Sequence, residues 1–228
     1  MFDQFQIIGH RGWAAKYPEN TLLGFKKAID AGATMIELDI QLTQDNHLAV
    51  FHDETAKRLC DRDLKLALTS RKSIKELKVE DNEIPFLDEV FETFTDTTNY
   101  YIELKTFKTT IEDEKLKLAF YTVNEILKYS LRRNCVVVSF DPDLLRACRR
   151  MGYNNLGLNY ESGKRNPNFK LGCFNHKLIK GKVTEPTFVW TVNNAKRMKT
   201  LINNKVDGIV TDHVDKLVNI CKDQLVAP

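Results

Sequence analysis

The chain is predicted to fold as a (β/α)₈ barrel, a single domain over residues 1–228. Three observations lead there. Short β-branched runs alternate with segments of helical period, giving about eight strands with a helix after most of them. A length of 228 residues suffices for one sizeable core. The first strand runs into His10-Arg11-Gly12, not into the glycine-rich phosphate loop that marks the alternative, a doubly wound open sheet; neither GxGxxG nor GxxxxGKS/T occurs.

FQIIGH (5–10) reads as the first strand. TLLGFKKAIDA (21–31) sets Leu22, Phe25 and Ile29 at helical spacing, and Gly32 supplies a stop. TMIELDIQL (34–42) alternates strictly, and LAVF (48–51) extends or follows it. Residues 54–84 are polar and read as a loop carrying short helical turns. LDEVFETF (87–94) is a helix and NYYIELKTF (99–107) a strand. Over 112–131, Leu116, Phe120, Val123, Leu127 and Leu131 recur at intervals of three and four, the stripe of a long helix. CVVVSF (135–140) is apolar enough for a strand buried on both faces. Asp141-Pro142 then supplies an N-cap and a first-turn proline for a helix through Met151. NLGLNY (155–160), LGCFN (171–175), TFVWTV (187–192) and VDGIVT (206–211) complete the strands. Helices from Asn194 to Asn203 and from His213 to Cys221 follow the last two. Polar stretches at 161–168 and 176–186 leave the fifth and sixth helices stunted.

Composition excludes several classes. Thirty-four Lys and Arg against 31 Asp and Glu leave a net charge of +3, too little for a nucleic-acid footprint. The five cysteines are odd in number, widely spaced and without CxxC, so neither a disulfide framework nor a cysteine zinc site is expected. A reducing cytoplasm fits that usage. No apolar run approaches the ~18 residues of a membrane span, so no stable membrane insertion is expected. The opening MFDQFQIIGH lacks the pattern of a signal peptide.

The informative polar residues sit on strands. In IELDIQL (36–42), Ile36, Leu38, Ile40 and Leu42 share one face while Glu37, Asp39 and Gln41 share the other. The acidic face reads either as solvent-exposed or as the inner wall of a barrel. On an inner wall two carboxylates repel and are costly to desolvate, and a bound cation removes both costs. Tyr101-Ile102-Glu103-Leu104-Lys105 repeats the anomaly, so Glu103 and Lys105 form either a bridging ion pair or part of the same site. Three hard oxygen ligands suit Mg²⁺ or Ca²⁺ better than zinc.

Two of the five histidines close strands: His10 precedes Arg11-Gly12, and His52 precedes Asp53. Histidine is the natural proton shuttle near neutral pH. Arg11 suits a bidentate grip on phosphate oxygens, and Gly12 suits a tight turn. His47, His176 and His213 read as surface or capping residues, with His213 alternatively bordering the pocket, and Trp13 stands near the expected mouth. In Pro18-Glu19-Asn20-Thr21, Asn20 or Thr21 caps the first helix, and Glu19 ties the loop to Arg11 or His10. Trp190, in FVWTVNN, is either core or an apolar wall against a substrate's carbon skeleton. No cysteine has the basic partner a nucleophile needs.

Together these segments resemble the glycerophosphodiester phosphodiesterase family. The matching runs are IIGHRG with PENT (7–21), IELDIQLT (36–43), FHDE (51–54), IELK (102–105), VVSFDPDLL (137–145), VWTVNN (189–194) and VDGIVTD (206–212), in that order along nearly the whole chain. The resemblance implies the phospholipase-C-like type of (β/α)₈ barrel. It implies catalytic His10 and His52, one divalent cation on Glu37, Asp39 and Glu103, phosphate-binding Arg11 and Lys105, and Trp190 beside the glycerol, with Glu19 nearby. Longer periplasmic relatives carry a signal peptide and an insertion after the second strand; this chain resembles the short bacterial cytoplasmic form. Departures fall after His52, where LCDRDLKLALTSRK lacks the usual Gly- and Thr-rich sequence, and at the reduced sixth helix.

The implied activity is metal-dependent hydrolysis of glycerophosphocholine, glycerophosphoethanolamine and similar small diesters to glycerol 3-phosphate and an alcohol. That is a role in lipid and glycerol metabolism with no nucleic-acid partner. Larger lysophospholipid-type diesters, or a barrel that only binds a phosphorylated ligand, are the alternatives.

Overall fold

A computed structural model describes residues 4–226 of the chain. Its elements in chain order are β1 (Gln6–Gly9), α1 (Leu22–Asp30), β2 (Met35–Leu42), β3 (Leu48–Val50), α2 (Lys57–Cys60), α3 (Arg71–Ile74), β4 (Lys78–Val79), β5 (Asn82–Glu83), α4 (Leu87–Phe94), β6 (Asn99–Leu104), α5 (Glu112–Lys128), β7 (Cys135–Ser139), α6 (Pro142–Arg150), β8 (Leu156–Tyr160), β9 (Leu171–Asn175), β10 (Thr187–Trp190), α7 (Ala195–Asn203), β11 (Gly208–Thr211) and α8 (Val214–Val226). Strands β1, β2 and β6 to β11 run parallel. Because β1 pairs with β2 on one side and β11 on the other, the sheet closes into the predicted eight-stranded barrel. β3 is antiparallel to the end of β2.

Two apolar layers hold the barrel. Outside the sheet, Ile36, Leu38 and Ile40 of β2 pack with Phe25, Phe91, Val123 and Leu217 of the helices. Inside it, Ile8, Met35, Tyr101, Val136, Phe188 and Val210 form a plug. Each large side chain so buried contributes about 1.5–3 kcal/mol. The plug fills the lower part of the interior, so the C-terminal strand ends are free to carry polar groups, where barrel active sites lie.

Helix ends follow their caps. Thr21 Oγ1 accepts from Gly24 N at 3.0 Å, and Asp141 Oδ1 accepts from Asp143 N at 2.9 Å with Pro142 between them. No helix separates β8 from β9, and only a 3₁₀ turn over His176–Leu178 follows β9, as predicted.

Three readings change. Leu116, Phe120 and Leu127 of α5 stay 37%, 51% and 43% exposed. Val123 and Leu131 of the expected stripe are buried, and Leu118, Ala119, Thr122 and Ile126 complete the buried face. Ala119 and Thr122 are small, and Thr122 returns its hydroxyl to Leu118 O at 2.7 Å, so α5 packs closely on α6 and the sheet. Residues 54–84 are more than a loop with turns. They build α2, α3 and the β4–β5 hairpin over a small core of Phe51, Ala56, Leu66, Ile74, Ile84 and Phe86. Finally, β6 ends at Leu104, which leaves Lys105 just past the strand.

Candidate active site

Alternation along β2 turns Glu37, Asp39 and Gln41 into the barrel, and all three are buried. The β2–β6 register sets Asp39 opposite Glu103, so oxygens of Glu37, Asp39 and Glu103 all lie within 4.8 Å of one another. Each carboxylate is held from behind. Glu37 Oε2 accepts the backbone N–H of Arg11 at 2.7 Å, Asp39 Oδ2 accepts Asn20 Nδ2 at 2.9 Å, and Glu103 Oε2 accepts Asn159 Nδ2 at 3.0 Å. Asn159 Oδ1 in turn accepts the Tyr101 hydroxyl at 2.8 Å. The Arg11 N–H reaches Glu37 because the chain turns through left-handed backbone, φ 50° at Arg11 and 87° at Gly12. A Cβ on Gly12 would lie 2.6 Å from the Gly24 carbonyl carbon, so only glycine fits.

Three carboxylates at this spacing, Glu37 and Asp39 buried and Glu103 half-buried, strain one another. Burial, then the charges of Asp39 and Glu103, push Glu37 up to about 8. Burial acts on Asp39 in the same direction, but Lys105, Arg11 and His52 with the Asn20 hydrogen bond outweigh it and hold Asp39 below the usual carboxylate range. Lys105 Nζ stands 2.7 Å from Glu103 Oε1 and 3.6 Å from Asp39 Oδ1. Arg11 Nε is buried, 3.2 Å from Asp39 Oδ2 but not aligned with it for a hydrogen bond. A converging, oxygen-only donor set whose charges repel fits a divalent cation.

The two histidines are oriented alike. His10 Nδ1 lies 2.6 Å from Asp212 Oδ1, and Asp212 Oδ2 accepts Asn193 Nδ2 at 2.6 Å. Burial disfavours the His10 cation, yet the Asp212 hydrogen bond and the charge of Glu37 outweigh burial and raise its pKa. His52 Nδ1 lies 2.7 Å from Asp53 Oδ1. Gln41 Nε2 donates to Phe51 O at 2.9 Å and Asp53 O at 2.8 Å, which pins the chain on both sides of His52. Arg58 continues this network: its Nε donates to Asp53 Oδ2 at 2.5 Å, and its Nη1 and Nη2 donate to Glu19 at 2.9 and 2.8 Å.

His10, His52, Arg11, Lys105 and the three carboxylates line one cleft of about 190 Å³. Its apolar wall is Phe140 edge-on to Trp190, with ring centroids 5.5 Å apart. Trp190 is fixed by its Nε1–H donating to Cys173 O at 3.0 Å. Glu19 lies behind Arg11, 2.8 Å from Nη1, and outside the cleft lining, where the PENT loop puts it. Trp13 packs against Tyr17 instead of the mouth, and His213 does not line the cleft.

Sequence reading missed Asp212, Asn20, Asn159, Arg58 and Phe140 as parts of this site, and it placed Gln41 on the inward face without its bonds around His52. Asn159 gave a signal, a lone amide at an inward position of an apolar strand. Asp212 closed the matching run VDGIVTD, but its partnership with His10, at the other end of the chain, left no local pattern.

Comparison with known proteins agrees with this geometry. A sequence model of the glycerophosphoryl diester phosphodiesterase family matches residues 10–167 and 185–216. A glycerophosphodiester phosphodiesterase of Caldanaerobacter subterraneus subsp. tengcongensis is 31% identical over 95% of this chain and 97% of its own. The crystal structure of a glycerophosphodiester phosphodiesterase from Thermotoga maritima superposes with a TM-score of 0.79 at 30% identity, covering 96% of this chain and all of the other. A phosphodiesterase from Oleispira antarctica, solved in complex with the product sn-glycerol-3-phosphate, has the same fold at 19% identity, with a TM-score of 0.83 over 95% of this chain and 96% of that one.

Proposed function

Since this chain belongs to the glycerophosphoryl diester phosphodiesterase family, we propose that His10 and His52 carry the proton transfers of glycerophosphodiester hydrolysis in this cleft. The protein is a phosphodiesterase acting on a small-molecule substrate. It converts glycerophosphodiesters such as glycerophosphocholine to glycerol 3-phosphate and the free alcohol. The carrying observation is the pairing of two aspartate-oriented histidines with a three-carboxylate cluster in one small cleft.

Glu37, Asp39 and Glu103 would hold one divalent cation, Mg²⁺ or Ca²⁺. When bound, it neutralises phosphoryl charge and lowers the pKa of a nearby hydroxyl or water. The remaining work belongs to the chain. Arg11, whose buried Nε has no aligned acceptor, and Lys105 donate to the phosphoryl oxygens, where charge builds in the transition state. Glu19 keeps the Arg11 guanidinium in place. His52 takes the proton from the attacking oxygen as the new P–O bond forms. His10, whose bond to Asp212 raises its pKa, gives its proton to the departing alcohol oxygen as the old P–O bond breaks. Trp190 and Phe140 pack against the glycerol carbons.

Residues 1–228 form one catalytic domain in this reading, supported by a barrel that needs strands from both ends of the chain. Limited proteolysis giving two stable pieces would contradict it. Five unpaired thiols support a cytoplasmic location, which cell fractionation tests; among the described residues no helix is long and apolar enough to cross a membrane.

The functional test is release of glycerol 3-phosphate from glycerophosphocholine and glycerophosphoethanolamine. Turnover is expected with Mg²⁺ or Ca²⁺, to vanish with EDTA and to return on metal addition. Inactivity on every glycerol diester with metal present overturns the substrate. Turnover indifferent to EDTA overturns the cation.

A further inference from the structure

The net charge of +3 conceals a separation. Residues 132–205 hold fifteen Lys and Arg and four Asp and Glu, a net +11, which leaves −8 for the rest of the chain. They span β7 to α7, consecutive strands of the barrel wall with their outer covering, and so make up one flank. The four acids are already engaged. Asp141 pairs with Lys115, Asp143 with Arg146, Glu185 with Arg165, and Glu161 accepts from Asn175. Lys164, Lys170, Lys177, Lys180, Lys196 and Lys199 are exposed, and none forms an ion pair among the described residues. Outside this flank Lys26, Lys57, Lys65, Lys75 and Lys78 each pair with a carboxylate.

The basic segments pack on one another, and Arg165 links their two halves through Nη2 to Pro186 O at 2.6 Å. Arg197 Nη2 donates to Ile179 O at 2.7 Å, and Val183 N donates to Asn204 O at 2.9 Å, joining α7 to the segment that carries Lys177 and Lys180. Arg149 Nη2 donates to Asn168 O at 2.7 Å, joining α6 to the loop that carries Lys164 and Lys170.

We propose that this flank adsorbs reversibly on an anionic phospholipid bilayer. Its charges are spread over the outward side of several barrel units, which matches a broad, diffuse negative surface. Within residues 132–205 the exposed large apolar side chains are Phe140, which belongs to the cleft, and Met151. Stacking platforms for nucleic-acid bases are therefore not in place, nor is a wedge for insertion. Substrate chemistry points the same way, in a step that rests on the proposed function. A glycerophosphodiester is a phospholipid without its acyl chains, so a deacylating reaction at a bilayer must supply it.

The test is sedimentation of the full chain with phosphatidylcholine vesicles and with vesicles also containing phosphatidylglycerol. Binding is expected only to the second, at low salt, and is lost near 1 M salt, where the Debye length is about 3 Å. Each ammonium group is worth about fivefold in partition. The combined variant Lys177→Glu, Lys180→Glu, Lys196→Glu, Lys199→Glu is expected to lose more than a hundredfold, with melting and turnover of soluble glycerophosphocholine unchanged. Reversing Lys26, Lys57 and Lys78 is expected to leave binding intact. Wild-type protein that ignores phosphatidylglycerol at low salt, or binds neutral vesicles equally, overturns the proposal. So does binding that survives the four reversals, or duplex DNA that outcompetes the vesicles. Vesicle binding without turnover would sink the proposed reaction and leave this surface standing.

Discussion

His10 and Asp212 are 202 positions apart in the chain and 2.6 Å apart in the fold. The link is the pairing of the first strand with the last, continued where the His10 N–H donates to Thr211 O at 3.0 Å. Asn193 holds the second oxygen of Asp212, which leaves the first aimed at the imidazole. His10 therefore has its Nδ1 engaged and its Nε2 free to face substrate.

Replacing Asp212 with Asn should lower kcat on the order of 10²-fold, because the imidazole loses both its orientation and part of its basicity. The fold should register the change as well. His10 is raised above its ordinary 6.5, so it stabilises the native state below that pH, and the contribution fades as pH climbs through the folded value. The melting difference between wild type and Asp212→Asn should thus be larger at mildly acidic than at alkaline pH. An equal difference at both would show that the pair does not titrate as described.

The two histidines should separate on leaving-group chemistry. Choline leaves as a poor alkoxide and needs the acid; an activated nitrophenyl group does not. His10→Ala should therefore cripple glycerophosphocholine hydrolysis and spare the nitrophenyl diester. His52→Ala should slow both. The comparison of kcat on the two substrates, in variants whose circular dichroism matches wild type, decides it. The opposite pattern would exchange the two roles.

Arg58 touches no lining atom of the cleft, yet it bridges the carboxylate behind His52 and the one behind Arg11. Arg58→Ala should cost about 10-fold in kcat through a misaimed His52. KM should also rise, as Glu19 turns fully to Arg11. Arg58→Lys should recover part of each, and added guanidinium should partly rescue the Ala variant. Burial raises Asp53, but hydrogen bonds from Arg58 and His52 outweigh it and hold it at about 2. A depressed carboxylate stabilises the fold above its ordinary value of 3.8, and this is lost as pH falls toward 2. Removing Arg58 should accordingly move the acid-unfolding midpoint upward, which a pH titration by circular dichroism reads.

Cation affinity should depend on the amides behind the carboxylates. Asn159→Ala and Asn20→Ala are each expected to weaken Mg²⁺ or Ca²⁺ binding by roughly 10- to 100-fold, read by calorimetry without substrate. Asp39→Asn should abolish it. Unchanged affinity in both amide variants would mean the carboxylates hold their geometry alone.

How far the sequence carried these assignments depended on the range of the interaction. Parity along β2 is local, so Glu37, Asp39 and Gln41 were legible as one inward row, and Asp141-Pro142 announced its helix start. The buried side of α5 was not legible. Its sequence offers two apolar stripes, and the choice of Ala119 and Thr122 over Phe120 was made by what packs against them. Asp212 and Arg58 act across the fold. A residue whose partner is set by barrel closure, or by a loop with its own small core, carries no nearby pattern.

Closure of the barrel by its first and last strands also sets a schedule. A ribosome releases His10 and all three carboxylates long before Asp212. Until β11 docks, the nascent chain has an open seam beside β1, an imidazole without its anchor and a carboxylate cluster still awash in water. Catalytic competence therefore arrives in one step with the final strand, and a chain stalled short of it is inert however much of its chemistry has been translated.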